Sequence, residues 1–454
     1  MIATLTLSDI AARLNGELFF GDCEFSQVNT DSRSLSPGDL FVALKGENFD
    51  AHQFLPSVQT AGACGLLVEQ EDKNLALPQL KVADTTLALG QIGRISREGF
   101  RGKVAAITGS SGKTTVKELL ASILSQIGSV HATRGNLNNQ FGVPLTLLAM
   151  KPGQDFLVAE LGASAAGEIA YLVDLVLPDV VMVNNVMPAH IEGFGSLEGV
   201  AAAKSEIYTA LKPEGRAVVN LDEPFSSAWL QSLPADQVIS FSLKNAGAHF
   251  FADAIEYVND TLNFTLRSPL GEVPVKLSLL GVHNVANALA ACACAYAMGA
   301  TLSDMQQGLQ AFQSTPGRMH RTPSECGATV IDDTYNANPG AVRAAIDVLV
   351  GLSADATLVL GDLGELGAES ELLHCSLGRY AREQGVARLI TVGTLSADAS
   401  KTFGDGGKHF NEQQKAIEFL QTTLTNSDVV LVKGSRSAHM ELVVQAITQR
   451  GENA

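Results

Sequence analysis

No C-x-x-C pair occurs in this sequence. The six cysteines, Cys23, Cys64, Cys292, Cys294, Cys326 and Cys375, are scattered, and Cys292 and Cys294 stand two apart on an expected helix, facing different sides. Neither a metal site nor a disulfide framework is expected from them; buried free thiols are. Basic residues are scarce as well: 31 Lys and Arg stand against 48 Asp and Glu, a net charge of −17. So acidic a surface disfavours bulk binding to nucleic acid or an anionic membrane, and leaves room only for a small basic pocket around a phosphate ligand. Long apolar runs are missing too. The most apolar long stretch, Val285–Ala300, is Ala-rich and contains Asn287, and it falls short of the ~20 residues a membrane span needs. The N-terminus has no basic n-region and meets Asp9 before any long apolar run. No signal peptide is expected, and a cytoplasmic protein is. Internal repeats and low-complexity tracts are absent, tryptophan occurs once, and 46% apolar with 17% charged residues is an ordinary globular ratio.

What is present divides into three textures. Residues 1–84 form a mixed α/β segment with turn-rich pieces such as Ser36-Pro37-Gly38-Asp39 before a strand candidate, Phe41–Leu44. Residues 85–315 open on the β-rich run Val104–Thr108, a glycine loop and a helix. In that helix Val116, Leu119, Leu120, Ile123, Leu124 and Ile127 share one face. Apolar runs at Phe156–Ala159, Val180–Val183 and Ala217–Val219 alternate with helical stretches such as Leu197–Leu211. This pattern predicts a parallel sheet covered on both faces. Between about Val238 and Leu280 it switches to short antiparallel strands, Phe250–Val258 and Leu262–Leu266, followed by an Ala-rich helix, Asn284–Met298. Residues 316–454 alternate strand and helix again, as a second doubly wound unit. The expected fold is α/β in three domains. A small mixed α/β domain comes first, then a central phosphate-loop domain on a parallel sheet with an added antiparallel sheet, then a C-terminal Rossmann-like domain.

The chemistry gathers where strands end. Thr108-Gly109-Ser110-Ser111-Gly112-Lys113-Thr114-Thr115 lies between strand and helix. Its glycines let backbone N–H groups converge on phosphate oxygens, the helix N-terminus adds a positive dipole end, Lys113 neutralises charge, and the Thr114 hydroxyl can reach Mg²⁺. Only two residues separate Gly109 from Gly112, so the loop is a shortened variant. Glu160, at the end of the next strong strand, has the position and chemistry to hold Mg²⁺. His190 follows the strand Val180–Val183 and reads equally as a crevice residue or an ordinary loop histidine. By its spacing alone, Lys204 reads as a solvated helix lysine. In the last region Arg318, the run Asp332–Pro339, the run Gly361–Gly367, and Lys433-Gly434-Ser435-Arg436-Ser437 fall at or near strand ends, where a doubly wound sheet builds one composite ligand site.

With these residues assembled, the sequence resembles the Mur ligases, ATP-dependent amide-forming enzymes of peptidoglycan precursor synthesis, over essentially its whole length. The resemblance rests on Thr108–Thr114, Arg134-Gly135-Asn136-Leu137-Asn138-Asn139 with Gly142-Val143-Pro144, Glu160-Leu161-Gly162, His190-Ile191-Glu192-Gly193-Phe194-Gly195, Gly281-Val282-His283-Asn284 with Asn287, and Pro316-Gly317-Arg318. Within the family, Asp332–Pro339 and Gly361–Gly367 are most similar to the branch that adds D-alanyl-D-alanine. The diaminopimelate-selecting Asp-Asn-Pro-Arg is absent.

The resemblance implies roles the bare residues do not. Gly109, Ser110, Ser111, Gly112, Lys113, Thr114 and Thr115 would hold the ATP phosphates, and Arg318 would contact them. Asn284 and Asn287 would contact adenine and Asp333 the ribose. Thr114 and Glu160 would bind one Mg²⁺, and His190 with a carbamylated Lys204 a second. Lys113, Glu160, His190, Lys204 and Arg318 would form the catalytic set. Ser32, Arg33 and Asn138 would serve the UDP-N-acetylmuramoyl-tripeptide, and Asn336, Asn338 and Ser435 the incoming D-Ala-D-Ala. A monomer is expected, with no nucleic-acid or membrane partner. The alternatives are a sister ligase adding a single amino acid, a folylpolyglutamate-synthase-like ligase and, in a different class, a phosphate-loop kinase.

Overall fold

Three large sheets carry the chain. The structure is a computed structural model that describes residues 1–46, 49–188, 191–258 and 261–448. The first sheet has five strands in the order Glu17–Phe19, Gln79–Lys81, Gly65–Val68, Leu40–Val42, Val28–Asn29, all parallel except the first. Leu40–Val42 and Gly65–Val68 are buried along their whole length, as parallel strands covered on both faces are. The helix Thr85–Gly99 starts where the Asp84 carboxylate accepts the N–H groups of Thr86 and Leu87, at 2.7 and 2.9 Å. One side of it, with Ala88, Leu89 and Ile92, closes the first core. From elsewhere on the same helix Arg97 Nε donates to Val176 O (2.7 Å) and Ser96 Oγ to Leu147 O (3.1 Å). One helix thereby ties the first sheet to the second.

The second sheet has nine strands: Val130–Ala132, Phe156–Glu160, Lys103–Thr108, Val180–Val183, Arg216–Asn220, Val238–Ser242, Phe250–Val258, Thr261–Ser268 and Gly271–Leu277. The pairs are parallel as far as Phe250–Val258 and antiparallel beyond it. The antiparallel strands thus prolong the parallel sheet, and the switch comes one strand later than the sequence pattern predicts. The short link Leu243–His249 lets Phe250 pair parallel to Phe241 before the hairpin begins. Val116, Leu119, Leu120, Ile123 and Leu124 are fully buried on one helix face, whereas Ile127 lies past the helix end and is exposed. Cys292 and Cys294 are buried thiols of the Ala-rich helix His283–Met298; Cys326, against expectation, is exposed.

The third sheet runs His320–Pro323, Thr329–Asp333, Val429–Lys433, Ala356–Gly361, Arg388–Val392, Gly407–Phe410, parallel apart from the first strand. Thr329–Asp333, Val429–Lys433 and Ala356–Gly361 are neighbours, so the three polar loops predicted at strand ends emerge side by side.

Candidate active site

In the central sheet Phe156–Glu160, Lys103–Thr108 and Val180–Val183 are adjacent and parallel. Their C-terminal ends therefore open onto one crevice. The phosphate loop leaves Thr108 and enters the helix Lys113–Leu124, whose first turn leaves N–H groups without helical acceptors. Gly112 has φ +74°, and a Cβ there would lie 2.5 Å from Asn287 Oδ1 and 2.6 Å from Asn184 Nδ2, so only glycine fits. The loop is held from the neighbouring strand end: Ser111 N donates to Asn185 Oδ1 (2.8 Å) and Met187 N to Ser110 Oγ (2.9 Å). Lys113 Nζ donates to Gly109 O (2.8 Å). Burial holds its amine below the usual lysine range; the Glu160 carboxylate opposes that shift and Arg318 adds to it.

Glu160 is 2% exposed. Thr114 Oγ1 donates to its Oε2 (2.7 Å) and Asn138 Nδ2 to its Oε1 (2.8 Å). Its own N–H donates to Thr133 Oγ1 (3.0 Å). Behind Thr133, the fully buried Lys117 donates to Thr133 O (2.5 Å) and pairs with Glu118 (2.8 Å). Asn138 thus sits on the Glu160 carboxylate.

Lys204 is not a solvated lysine. It is 2% exposed, on the helix Leu197–Ser205. Val200 and Ala201, one helical turn earlier, are buried beside it, so Lys204 continues the inward stripe. Burial, and then the charge of Lys113, push its amine down to about 7. Its Nζ lies 5.7 Å from the Phe194 ring centroid. His190 lies outside the described residues.

Asn284 and Asn287 occupy one face of the first turns of the helix His283–Met298 and are both buried. Asn287 Nδ2 donates to Asn284 Oδ1 (2.8 Å), and Asn184 Nδ2 to Asn287 Oδ1 (3.0 Å). Across the crevice Arg318 stacks on Tyr335, 4.0 Å from the ring centroid. Asp333 accepts from the buried Lys433 Nζ (2.5 Å) and from Met319 N (3.2 Å). Lys433 also donates to Asn336 O (3.0 Å), Ser435 Oγ to Asp362 O (2.7 Å), and Arg436 N to Asn336 Oδ1 (3.3 Å). The three loops of the third sheet are thereby stitched together. Asn338 caps the helix Pro339–Leu352 through its Oδ1, which accepts from Ala341 N (2.8 Å).

The structure brings together Gly109–Thr115, Asn138, Glu160, Lys204, Asn284, Asn287 and Arg318. It keeps Ser32 and Arg33 apart from them, on a loop of the first sheet. There Arg33 pairs with Asp31 at 2.7 Å and holds the Asp31 carboxyl at about 2. Sequence reasoning missed Thr133, Lys117, Asn184, Asn185 and Tyr335. The signal for the asparagines was available: two consecutive amides at the C-terminal end of a strand next to the phosphate loop.

A strand–loop–helix phosphate cradle, a carboxylate on the neighbouring strand end and a second α/β domain facing both define a nucleotide-using enzyme of the phosphate-loop class. Three family models match in sequence: Mur ligase family, catalytic domain, over residues 24–95; Mur ligase middle domain over 107–295; and Mur ligase, glutamate ligase domain over 317–436. The UDP-N-acetylmuramoyl-tripeptide–D-alanyl-D-alanine ligase of Escherichia coli is 44% identical over 450 residues, 99% of each chain. The crystal structure of MurF from Acinetobacter baumannii superposes with a TM-score of 0.92 at 39% identity, over 98% of this chain and 99% of that one. MurF ligase from Thermotoga maritima, in complex with ADP, gives 0.82 at 28% identity over 93% and 96%. The chain belongs to the Mur ligase family.

Proposed function

We propose that this chain uses ATP to join D-alanyl-D-alanine to UDP-N-acetylmuramoyl-tripeptide, giving the pentapeptide, ADP and phosphate. The observation that carries the reading is the convergence of Lys113, the Thr114–Glu160 pair and Arg318 on one phosphate loop, in a chain that matches a ligase of that name over 99% of its length. We assign residues 1–84 to the UDP substrate, 85–315 to ATP and 316–454 to the incoming dipeptide. We take the enzyme to act as a monomer in the cytoplasm. Among the described residues no helix is long and apolar enough to cross a membrane.

A free carboxylate is a poor acylating agent because its leaving group would be oxide. Transfer of the γ-phosphoryl group to the tripeptide carboxylate makes an acyl phosphate; attack by the dipeptide amine gives a tetrahedral intermediate that expels phosphate. Phosphoryl transfer draws anions together, so positioned positive charge lowers the barrier. Lys113 and the loop amides bind the β- and γ-phosphates, and Arg318 reaches them from the facing domain. Asn284 and Asn287 hold adenine, and Asp333 the ribose. Ser32 and Arg33 bind the UDP end of the substrate. Asn336, Asn338 through its free amide NH₂, and Ser435 receive the dipeptide.

Thr114 Oγ1 and Glu160 Oε2, 2.7 Å apart, are oxygen donors of the kind Mg²⁺ takes. Mg²⁺ takes few protein ligands at such sites and completes its shell with phosphates and water. When bound, two such ions supply charge neutralisation at the transferring group. Thr114 and Glu160 would hold one, and His190 with a carbamylated Lys204 the other. An amine titrating at about 7 is largely neutral at physiological pH, the form that adds CO₂ to become an anionic carbamate.

The test is phosphate release from ATP with Mg²⁺ and UDP-N-acetylmuramoyl-tripeptide, with and without D-Ala-D-Ala, with products identified by mass. Release that requires the dipeptide and yields the pentapeptide is expected. Release indifferent to the dipeptide refutes this substrate assignment, and phosphate left on the acceptor means a kinase. Diaminopimelate, lysine and glutamate in place of the dipeptide separate the sister ligases.

A further inference from the structure

Between the phosphate loop and the two asparagines assigned to adenine runs a chain of buried amides with a single polarity. Asn184 Nδ2 uses its two N–H groups on Ser111 O (2.9 Å) and Asn287 Oδ1 (3.0 Å). Asn287 Nδ2 then donates to Asn284 Oδ1 (2.8 Å), and Asn284 Nδ2 to Leu280 O (2.7 Å). Asn184 is itself held at both backbone groups: its N–H donates to Thr108 O (2.8 Å) and its carbonyl accepts from Asn220 Nδ2 (3.0 Å). All four asparagines are at most 8% exposed.

Turning over any one side-chain amide would set carbonyl oxygen against carbonyl oxygen, or NH₂ against NH₂, in a buried site, which is costly. The chain is anchored on a backbone carbonyl at each end, Asn184 on Ser111 O (2.9 Å) and Asn284 on Leu280 O (2.7 Å), and the Asn287 amide is held between them. With that polarity set, and among the described residues, Asn287 keeps one N–H and Asn284 Oδ1 one lone pair for a ligand. A donor beside an acceptor in that order matches adenine, which offers an amino donor next to a ring-nitrogen acceptor. Hypoxanthine in the same pose presents a carbonyl oxygen where adenine has its amino group, and meets Asn284 Oδ1 acceptor to acceptor.

We propose that Asn184 is a positioning residue for base selection: anchored on the phosphate loop, it holds the Asn287 amide from one side while Asn284, anchored on Leu280 O, holds it from the other, and so it strengthens the site's preference for adenine. The inference rests on the assignment of Asn284 and Asn287 to adenine. The loop itself does not depend on Asn184, since Asn185 also donates to Ser111 O (3.0 Å) and accepts from Ser111 N (2.8 Å).

The experiment is calorimetric binding of ATP, ITP and inorganic tripolyphosphate, each with Mg²⁺, to the full chain. The proteins compared are the wild type, Asn184→Ala, Asn184→Ser, Asn287→Ala and the Asn184→Ala/Asn287→Ala double variant. Serine keeps a polar group but is too short to span both acceptors, and serves if the alanine variant does not fold. Loss of Asn184 is expected to lower the ATP-over-ITP preference about tenfold, the worth of roughly one buried hydrogen bond. Tripolyphosphate affinity is expected to stay unchanged, and the double variant to be no less selective than Asn287→Ala. Equal weakening of all three ligands would overturn the proposal, leaving Asn184 a structural residue of the loop. Additive loss of selectivity in the double variant overturns it as well. An Asn287→Ala protein that keeps full preference refutes the adenine assignment itself, and the relay with it.

Discussion

Replacing Lys204 by methionine should stabilise the protein and abolish its turnover. Lys204 is 2% exposed. An ordinary lysine titrates near 10.5, whereas burial and then the Lys113 charge bring Lys204 to about 7. Below pH 7 both folded and unfolded chains carry the proton, and folding bears the full cost of burying an ammonium. Between 7 and 10.5 the unfolded chain binds more protons than the folded one, so stability rises with pH. The gap corresponds to about 5 kcal/mol. Methionine has a similar shape and no charge at any pH. In CO₂-free buffer Lys204→Met should therefore be more stable than the wild type at pH 6 by up to about 5 kcal/mol. The difference should shrink by about 1.4 kcal/mol per pH unit above 7, to about 2 kcal/mol at pH 9.

The molecule provides its own probe. Its single tryptophan, Trp229, is 5% exposed in the central core and packs against Tyr208 at 5.7 Å. Urea unfolding followed by tryptophan fluorescence therefore reports the central domain, without requiring the whole chain to unfold in two states. A wild type more stable than Lys204→Met at pH 6, or a difference unchanged between pH 6 and 9, would refute the reasoning. Dipeptide-dependent phosphate release is expected to vanish in the same variant, because a site that spends stability on a buried amine does so for function.

Lys113→Ala should abolish turnover and leave the protein folded, with a cooperative Trp229 unfolding transition; full activity would remove Lys113 from the phosphate loop's chemistry. Gly112→Ala should lose nucleotide binding, measured by calorimetry, because its Cβ would lie 2.5 Å from Asn287 Oδ1 at φ +74°. Asp333→Ala strands the buried Lys433, which it contacts at 2.5 Å, and should destabilise the C-terminal domain by about 3 kcal/mol or more. Scanning calorimetry should show that Asp333→Ala/Lys433→Met regains most of that loss; an equally unstable double variant would mean the pair is not what matters.

Much of the architecture was legible because each unit repeats one rule. Apolar runs of four to six residues ending in or followed by Gly, Asp, Asn or Glu predict parallel strands with polar loops at one end, and Phe156–Glu160, Val180–Val183 (before Asn184) and Ala356–Gly361 obey it. Weak edges were not legible. Val130–Ala132 and Gly407–Phe410 are short, half-polar strands that pair only because a stronger neighbour offers its edge. Lys204 misled for another reason: charge suggests solvent, and the stripe it shares with Val200 and Ala201 is mostly alanine, a weak apolar signal. The Asn184–Asn287–Asn284 chain joins residues 103 apart in sequence, and no local pattern encodes such a contact. The motif glycines were visible, yet only the structure shows that Gly112 is glycine because two amides pass beside it.

The cations of the crevice strain against one another. Arg318 lowers the affinity of Lys113 for its proton, and Lys113 lowers that of Lys204. Arg318 comes from the C-terminal domain and the two lysines from the central one, so in this arrangement the domains face each other across like charges. The Glu160 carboxylate is the counter-charge to Lys113, and Thr114 and Asn138 already occupy it. A polyphosphate delivered to the loop brings several negative charges to the one place where they relieve all three cations at once. Its binding must then favour the arrangement in which Arg318 is near over any in which it is far, by the difference in interaction energy between the two. An overall charge of −17 works in the same direction. It makes the average surface repel an anionic nucleotide, so local positive potential at the loop selects both the ligand and the domain arrangement that receives it.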